Sequence, residues 1–348
     1  MRIHLGHHFY GAGNLGDDFM LAGFLAAVRR LAPGSRLTSC VPFPLPPLQR
    51  RFPEVDWRPY DDTERTRCID ACDVWLGLGG SPFQSALSRW FVDHLVCEAR
   101  LCARARKPQF YLGVGVQDAA ELALPEVRDL CSAAAGIWTR DAASAARLQA
   151  LAAPPPVAAA TDLAHVFFQS QPPPPAAKGR VTLVANFDYG AWPGQSAALA
   201  ALDGLSASDL VWLAQESREL PGAERALHAA LPVATRARWT LVAPEREGAP
   251  LNDVLARWPS GEWLVTARYH AALAGAWAGS RVAIIATNEK LRGAALELGV
   301  PSVLPGADTE TFAAALAATR PLPPPLGLAR AADSACADFL RSAVAHCR

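Results

Sequence analysis

The chain has 348 residues, with 33 basic and 33 acidic side chains, no net formal charge and 51% hydrophobic residues. That balance is globular and removes the electrostatic case for nucleic acid, which needs a basic patch interleaved with aromatics. No apolar run reaches the roughly 18 residues that a bilayer span requires, and at roughly 100–200 residues per domain the length points to two domains.

The first six residues, Met-Arg-Ile-His-Leu-Gly, are short enough for a buried strand, and they lead into Tyr10-Gly11-Ala12-Gly13-Asn14-Leu15-Gly16-Asp17-Asp18. Leu21, Phe24, Leu25, Val28 and Leu31 then recur at helical spacing. Asp17 and Asp18 stand where a helix cap and a first-turn acid belong. Strand, glycine loop and helix follow in that order. Gly11, Gly13, Asn14 and Gly16 can therefore bring backbone amides and a helix N-terminus to a phosphate or a carboxylate. The other reading of the same glycines is a tight turn that needs positive φ. The spacing matches neither the dinucleotide fingerprint nor the Walker loop.

A second strand is expected over Ser35–Pro42, followed by proline-rich turn material. Val74-Trp75-Leu76-Gly77-Leu78 reads as an apolar strand ending in Gly79-Gly80-Ser81, a second glycine turn. A strongly amphipathic helix spans Trp90 to Arg106. The strand Gln109–Val116 ends in glycines, a helix covers Pro125–Ala135, and Arg140 closes the short strand that starts at Gly136. Asp141 caps the next helix, and a further segment from Val157 leads to Asp162. Apolar runs without alternation, separated by helices, imply parallel sheets covered on both faces, with ligands at the strands' carboxyl ends.

Four prolines at Pro172–Pro175 mark a stiff boundary. Strands are expected at Val181–Asn186, Leu210–Ala214, Trp239–Val242, Glu262–Thr266 and Val282–Ala286, and helices at Glu224–Leu231, Leu251–Arg257, Ala271–Ala278 and Leu291–Leu298. A closing helix is expected over Ala331–Ala345. The expected organisation is a first α/β domain with the glycine loop (1–170), a proline-rich linker (171–179), a second α/β domain (180–322) and a closing helical segment (323–348). The fold class is α/β: two doubly wound parallel-sheet domains facing across a cleft.

Arg268-Tyr269-His270 falls where one strand gives way to a helix. It places a cation and an imidazole that titrates near neutral pH at a strand end. Lys290 holds the adjacent topological position and would bind phosphate as a point charge. Arg140, in the first domain, either faces the same cleft or pairs with Asp141. His7 and His8 beside the glycine loop either reach a ligand or cap backbone; His94, His228 and His346 read as helix-face residues, and His165 as a weaker strand-end candidate. The eight cysteines form neither a C-x-x-C pair nor a zinc-type cluster, so reduced, mostly buried thiols and no metal site are expected. The chain opens on a strand rather than a leader, from which a cytoplasmic location is expected.

Together these residues resemble the polysaccharide pyruvyl transferase family. The stretch from Gly11 to Asp17 is similar to its glycine loop, and Asp73 to Ser81 to its Asp-apolar-Gly-Gly segment. Thr139-Arg140-Asp141-Ala142-Ala143-Ser144 is similar to its Arg-Asp-x-x-Ser segment, and Asp162 to the Asp that closes its first domain. Arg268-Tyr269-His270 resembles its Arg-x-His, and Lys290 with Glu297-Leu298-Gly299 its Lys and Glu-Leu-Gly helix. The resemblance runs from about residue 10 to 300 and implies a fold like the B-type glycosyltransferases. It also implies phosphoenolpyruvate as donor substrate, with no cofactor. The expected reaction moves the enolpyruvyl unit onto a sugar of a cell-surface glycan or its precursor, giving a pyruvate ketal. His270 would be the general acid, with Arg140 and Lys290 as the other catalytic residues and Asp17 as a candidate base that also reads as a cap. Arg268, Gly11, Gly13, Asn14, Gly16, Asp17, Gly79, Gly80 and Ser81 would bind substrate. The expected partners are phosphoenolpyruvate, a sugar or lipid-linked glycan acceptor and peripheral contact with a membrane. The alternatives are a nucleotide-sugar glycosyltransferase of the same fold, for which Glu289 or Glu297 would have to hold the ribose, and a non-catalytic ligand-binding relative.

Overall fold

The computed structural model describes residues 1–84, 89–186, 192–215, 223–244 and 248–347. In chain order the first elements are β1 (Arg2–Leu5), α1 (Leu15–Leu31), β2 (Arg36–Val41), α2 (Leu45–Arg51), β3 (Val55–Pro59), α3 (Asp62–Ala71) and β4 (Val74–Leu78). They continue with α4 (Trp90–Ala105), β5 (Gln109–Val114), α5 (Pro125–Ala133), β6 (Gly136–Thr139), α6 (Ala142–Gln149), β7 (Val157–Ala159) and α7 (Ala164–Ser170). Then come β8 (Ala177–Val184), α8 (Gln195–Asp203), β9 (Asp209–Leu213), α9 (Ala223–Ala229), α10 (Val233–Arg236), β10 (Thr240–Val242) and α11 (Leu251–Ala256). The chain ends with β11 (Gly261–Thr266), α12 (Tyr269–Ala278), β12 (Arg281–Ile285), α13 (Glu289–Leu298), β13 (Ser302–Val303), α14 (Thr309–Ala317) and α15 (Leu326–His346).

Two compact units result. The first comprises Met1–Gly11, Asp17–Phe167 and Leu326–Arg348, and the second Ala12–Gly16 and Phe168–Pro325. The sheet of the first unit has seven strands in the order β3-β2-β1-β4-β5-β6-β7, and every pairing is parallel. β4 and β5 are buried at every position, which is why they read as unbroken apolar runs: helices cover both faces. Trp75, Tyr111, Phe91, Val92 and Leu130 belong to this unit's core. α15 closes it, with the buried Phe339 ring 5.6 Å from Phe110 and 6.1 Å from Phe24.

The second sheet has six strands in the order β10-β9-β8-β11-β12-β13, again all parallel. Trp192, Trp212, Trp239 and Phe312 anchor its core. β8 begins at Ala177, inside the stretch read as linker, because Ala177 N–H donates to the Ser260 carbonyl and the strand registers on Gly261. Among the described residues no helix is long and apolar enough to cross a membrane.

Candidate functional site

Each sheet has one switch point, where successive connections leave in opposite directions. It lies between β1 and β4 in the first unit and between β8 and β11 in the second. Parallel sheets take ligands at the carboxyl ends beside such a point. In the first unit this edge carries the turn after β4, where Gly79 and Gly80 have φ of 70° and 75°. In the loop after β1, Gly11 of the first unit and Gly13 of the second have φ of 89° and 92°.

Arg140 follows β6, and at 1% exposure it is a brace within the first unit. Its guanidinium donates to Ser81 Oγ at 2.9 Å, and its Nε lies 3.7 Å from the Asp141 carboxylate. It also packs flat on Gly115, where a Cβ would come 2.0 Å from its Nη2. Three strand ends are tied together by this one side chain. Asp141 does cap α6, accepting from Ser144 N at 2.7 Å. Asp162 is fully buried and accepts from Ala164 N at 2.9 Å.

The expected cap at Asp17 is corrected by the structure. α1 starts three residues earlier, at Leu15, and it is Asn14 whose side chain accepts from Gly16 N at 3.1 Å. Asp17 and Asp18 are first-turn acids, and Asp18 is buried in an ion pair with Arg51. His7 and His8 are also buried. His7 Nδ1 donates to the Leu78 carbonyl at 3.0 Å, which fixes its tautomer, and Tyr10 Oη donates to the same oxygen at 2.8 Å.

Behind the loop lies a polar cluster that sequence reasoning missed. Arg65 donates to Tyr60 Oη at 2.9 Å, Tyr60 donates to His94 Nδ1 at 2.8 Å, and His94 Nε2 donates to the Gly6 carbonyl at 2.7 Å. This set of donors is the one a neutral His94 makes, and burial favours that neutral form. His8 stands edge-on to His94 with ring centroids 3.9 Å apart. Glu98 accepts from Trp75 Nε1 at 3.0 Å and pairs with Arg65. The signal available in the sequence was the spacing of His94 and Glu98, one turn apart on the same face of α4.

In the second unit the decisive element is α12. All ten of its residues are buried, which explains the run of Ala and Gly around Leu273. Its first turn is therefore where chemistry can be placed. Arg268 is the N-cap residue in extended conformation, and its side chain does not cap the helix. The guanidinium instead engages the fully buried Glu224 through two N–H groups, Nη2 at 3.2 Å and Nε closer. Thr266 Oγ1 accepts from Arg268 N at 2.9 Å and sets the turn. Glu224 had no local signal beyond its place at the start of a helix. His270 is 6% exposed and abuts Gly16, where a Cβ would lie 2.0 Å from its Nδ1. The glycine loop thus contributes a residue without a side chain where the imidazole needs room.

Lys290, in the first turn of α13, lies over the Tyr269 ring at 5.0 Å, and Tyr269 Oη donates to Glu297 at 3.5 Å. Lys290, Tyr269 and Glu297 form one packed column joining α12 to α13 within the second unit. Glu289 is exposed and spent on Arg292. Glu289 opens α13 just past the carboxyl end of β12, and Glu297 lies about two turns further along the same helix. Among the described residues no group of three or more His, Cys, Asp or Glu side chains is assembled for a metal.

Gly16→Ala is expected to cost about 1–3 kcal/mol, the size of an overpacking penalty, and to displace the imidazole. His270→Ala added to it should recover most of the loss. Gly293→Ala, at a helix position with nothing within 4 Å, should be neutral or stabilising. Urea titration of the three variants tests this; a Gly16→Ala midpoint equal to wild type would rule the contact out.

No family model and no curated relative matches the chain. Solved structures do. HepE of Anabaena in complex with UDP-glucose is 12% identical with a TM-score of 0.57, over 99% of this chain and 95% of that one. The UDP-GlcNAc 2-epimerase of Neisseria meningitidis bound to UDP-GlcNAc is 10% identical with a TM-score of 0.58, over 98% and 100%. The UDP-N-acetylglucosamine 2-epimerase of Rickettsia bellii is 11% identical with a TM-score of 0.61, over 99% and 96%. The fold is GT-B-like. The expected pyruvyl transfer from phosphoenolpyruvate is corrected by these likenesses, whose named ligands and substrates are UDP and UDP-sugars. The physical reason is that glycine turns, helix starts and single cations at strand ends suit any phosphorylated donor. Short motifs built from them mark where an anion sits and do not say which anion.

Proposed function

We propose that this protein is a nucleotide-sugar glycosyltransferase, with the second unit holding the donor. The observation that carries the reading is the placement of Arg268, Tyr269 and His270 at the first turn of α12, beside the switch point of a sheet whose fold is shared with proteins solved around UDP-sugars. The diphosphate of the donor would lie against the first-turn amides of α12. As the glycosidic bond to phosphate loosens, negative charge grows on the leaving diphosphate, and the helix N-terminus with the neighbouring Arg268 offsets it. His270 stands in the same turn and can hold or release a proton at its imidazole as the acceptor hydroxyl reacts. The buried Glu224 keeps the Arg268 guanidinium in one orientation.

A melting series with UDP-glucose, UDP-GlcNAc, UDP and phosphoenolpyruvate tests the reading. A nucleotide sugar present at about 100 times its Kd should stabilise the protein by about 2.7 kcal/mol, and phosphoenolpyruvate should leave the transition in place. UDP release with sugar acceptors should accompany binding. Stabilisation without turnover would indicate a binding relative; indifference to every nucleotide sugar would end the proposal.

A further inference from the structure

The carboxyl edge of the first sheet carries the glycine turns, yet a cavity of about 640 Å³ opens at the opposite edge. Arg2, Arg36 and Val55, the first residues of β1, β2 and β3, line it together with Arg67, Cys68 and Cys72 from the end of α3. Cys40 of β2 lies behind Cys68, and its S–H points to the Cys68 sulfur at 3.9 Å. We propose that Cys68 is an oxidation site for hydrogen peroxide and that Cys40 is its resolving partner, so that the pair closes into a disulfide joining β2 to α3.

Three observations support this assignment. The cavity gives a small oxidant a route to Cys68, which is otherwise 6% exposed. Cys40's hydrogen bond favours the thiolate at Cys68 against the opposing effect of burial, with His4 and Arg67 acting the same way, while the same contact raises the Cys40 thiol. A thiolate is the nucleophilic form. Cys72 supplies the contrast: it lines the same cavity, but burial pushes its thiol up to about 12 and its S–H donates to the Ile69 carbonyl at 3.2 Å.

The chemistry balances in two steps. The Cys68 thiolate attacks one peroxide oxygen; the S–O bond forms, the O–O bond breaks and hydroxide leaves. Sulfur is oxidised by two electrons and the peroxide is reduced. The Cys40 sulfur then attacks the sulfenic sulfur, the S–S bond forms, and the S–O bond breaks. Water departs with the Cys40 proton. The two sulfurs start 3.9 Å apart and must close to about 2 Å in the second step.

The test uses the full reduced chain and hydrogen peroxide, read by intact mass and peptide mapping. The expected result is the loss of two hydrogens per chain, a Cys40–Cys68 linked peptide, reversal by dithiothreitol, and Cys68 oxidised at least about tenfold faster than Cys72. In Cys40→Ser the Cys68 sulfenic acid should persist and be trapped by dimedone. Wild-type mapping decides the question even if a variant folds poorly. Linkage through the exposed Cys97 or Cys347 with Cys40 and Cys68 still reduced would overturn the assignment. So would Cys68 oxidised beyond the sulfenic acid without cross-linking, or a Cys40–Cys68 link that forms only in urea.

Discussion

Replacing Arg268 with alanine should cost the second unit about 3–5 kcal/mol, the penalty for leaving one charge of a buried pair without its partner. Glu224 is fully buried, and the Arg268 side chain is 19% exposed. Two N–H groups converge on one carboxylate, a geometry that lysine cannot reproduce. Arg268→Ala strands the Glu224 carboxylate in the core, so Glu224→Gln in the same chain should restore much of the loss by removing the charge. Arg268→Lys should fall between. Urea unfolding of the four proteins tests this, and a single Arg268→Ala variant within about 1 kcal/mol of wild type would mean that solvent already screens the pair.

Acid should be the second large lever. Burial lowers the His7 imidazole to about 3, and burial followed by the nearby His94 and His7 lowers His8 to about 3. Burial also lowers His94, whose two ring nitrogens are satisfied in the neutral form by Tyr60 and the Gly6 carbonyl. An unfolded histidine titrates near 6.5, so between there and about 3 the unfolded chain binds more protons than the folded one. Stability is then flat above pH 7 and falls as the pH drops through 6.5. At pH 5 each of His7 and His8 contributes a loss of about 2 kcal/mol, about 4 kcal/mol for the two together. That is a large part of the net stability of a domain. His8→Phe, which suits the surrounding Tyr60, Trp90 and Phe91 rings, should remove about half of the slope. A urea midpoint that does not move between pH 7 and 5 would show that the cluster is hydrated.

The chain revealed the centre of its first sheet because β4 and β5 are buried along their whole length and run into glycine turns. Val74–Leu78 and the run from Gln109 could scarcely be anything else. The edge was harder to see. β3, Val-Asp-Trp-Arg-Pro, alternates inside and outside with Val55 and Trp57 buried, and its position amid prolines hid that period. β13 has two residues and no pattern to detect. For the site, Arg268, His270 and Lys290 could be placed from strand-to-helix changeovers. What each touches could not be read, because Glu224, Gly16 and the Tyr269 ring reach them through tertiary packing. Arg140 shows the limit most plainly: its adjacent Asp141 was visible, but Ser81 and Gly115, which make it a brace, follow other strands.

The last helix has a consequence for how the chain must be made. Phe339 of α15 fills a place between Phe110, Trp138 and Phe24, on a sheet whose strands are synthesised long before it. While the ribosome is still delivering the segment from Phe168 to Pro325, the first sheet waits with that surface bare. The segment in between carries every strand of its own sheet and can close as it emerges. Assembly during translation should therefore run against the usual amino-first order. The nascent first unit should be the one that needs a chaperone's cover until the final turns of α15 arrive.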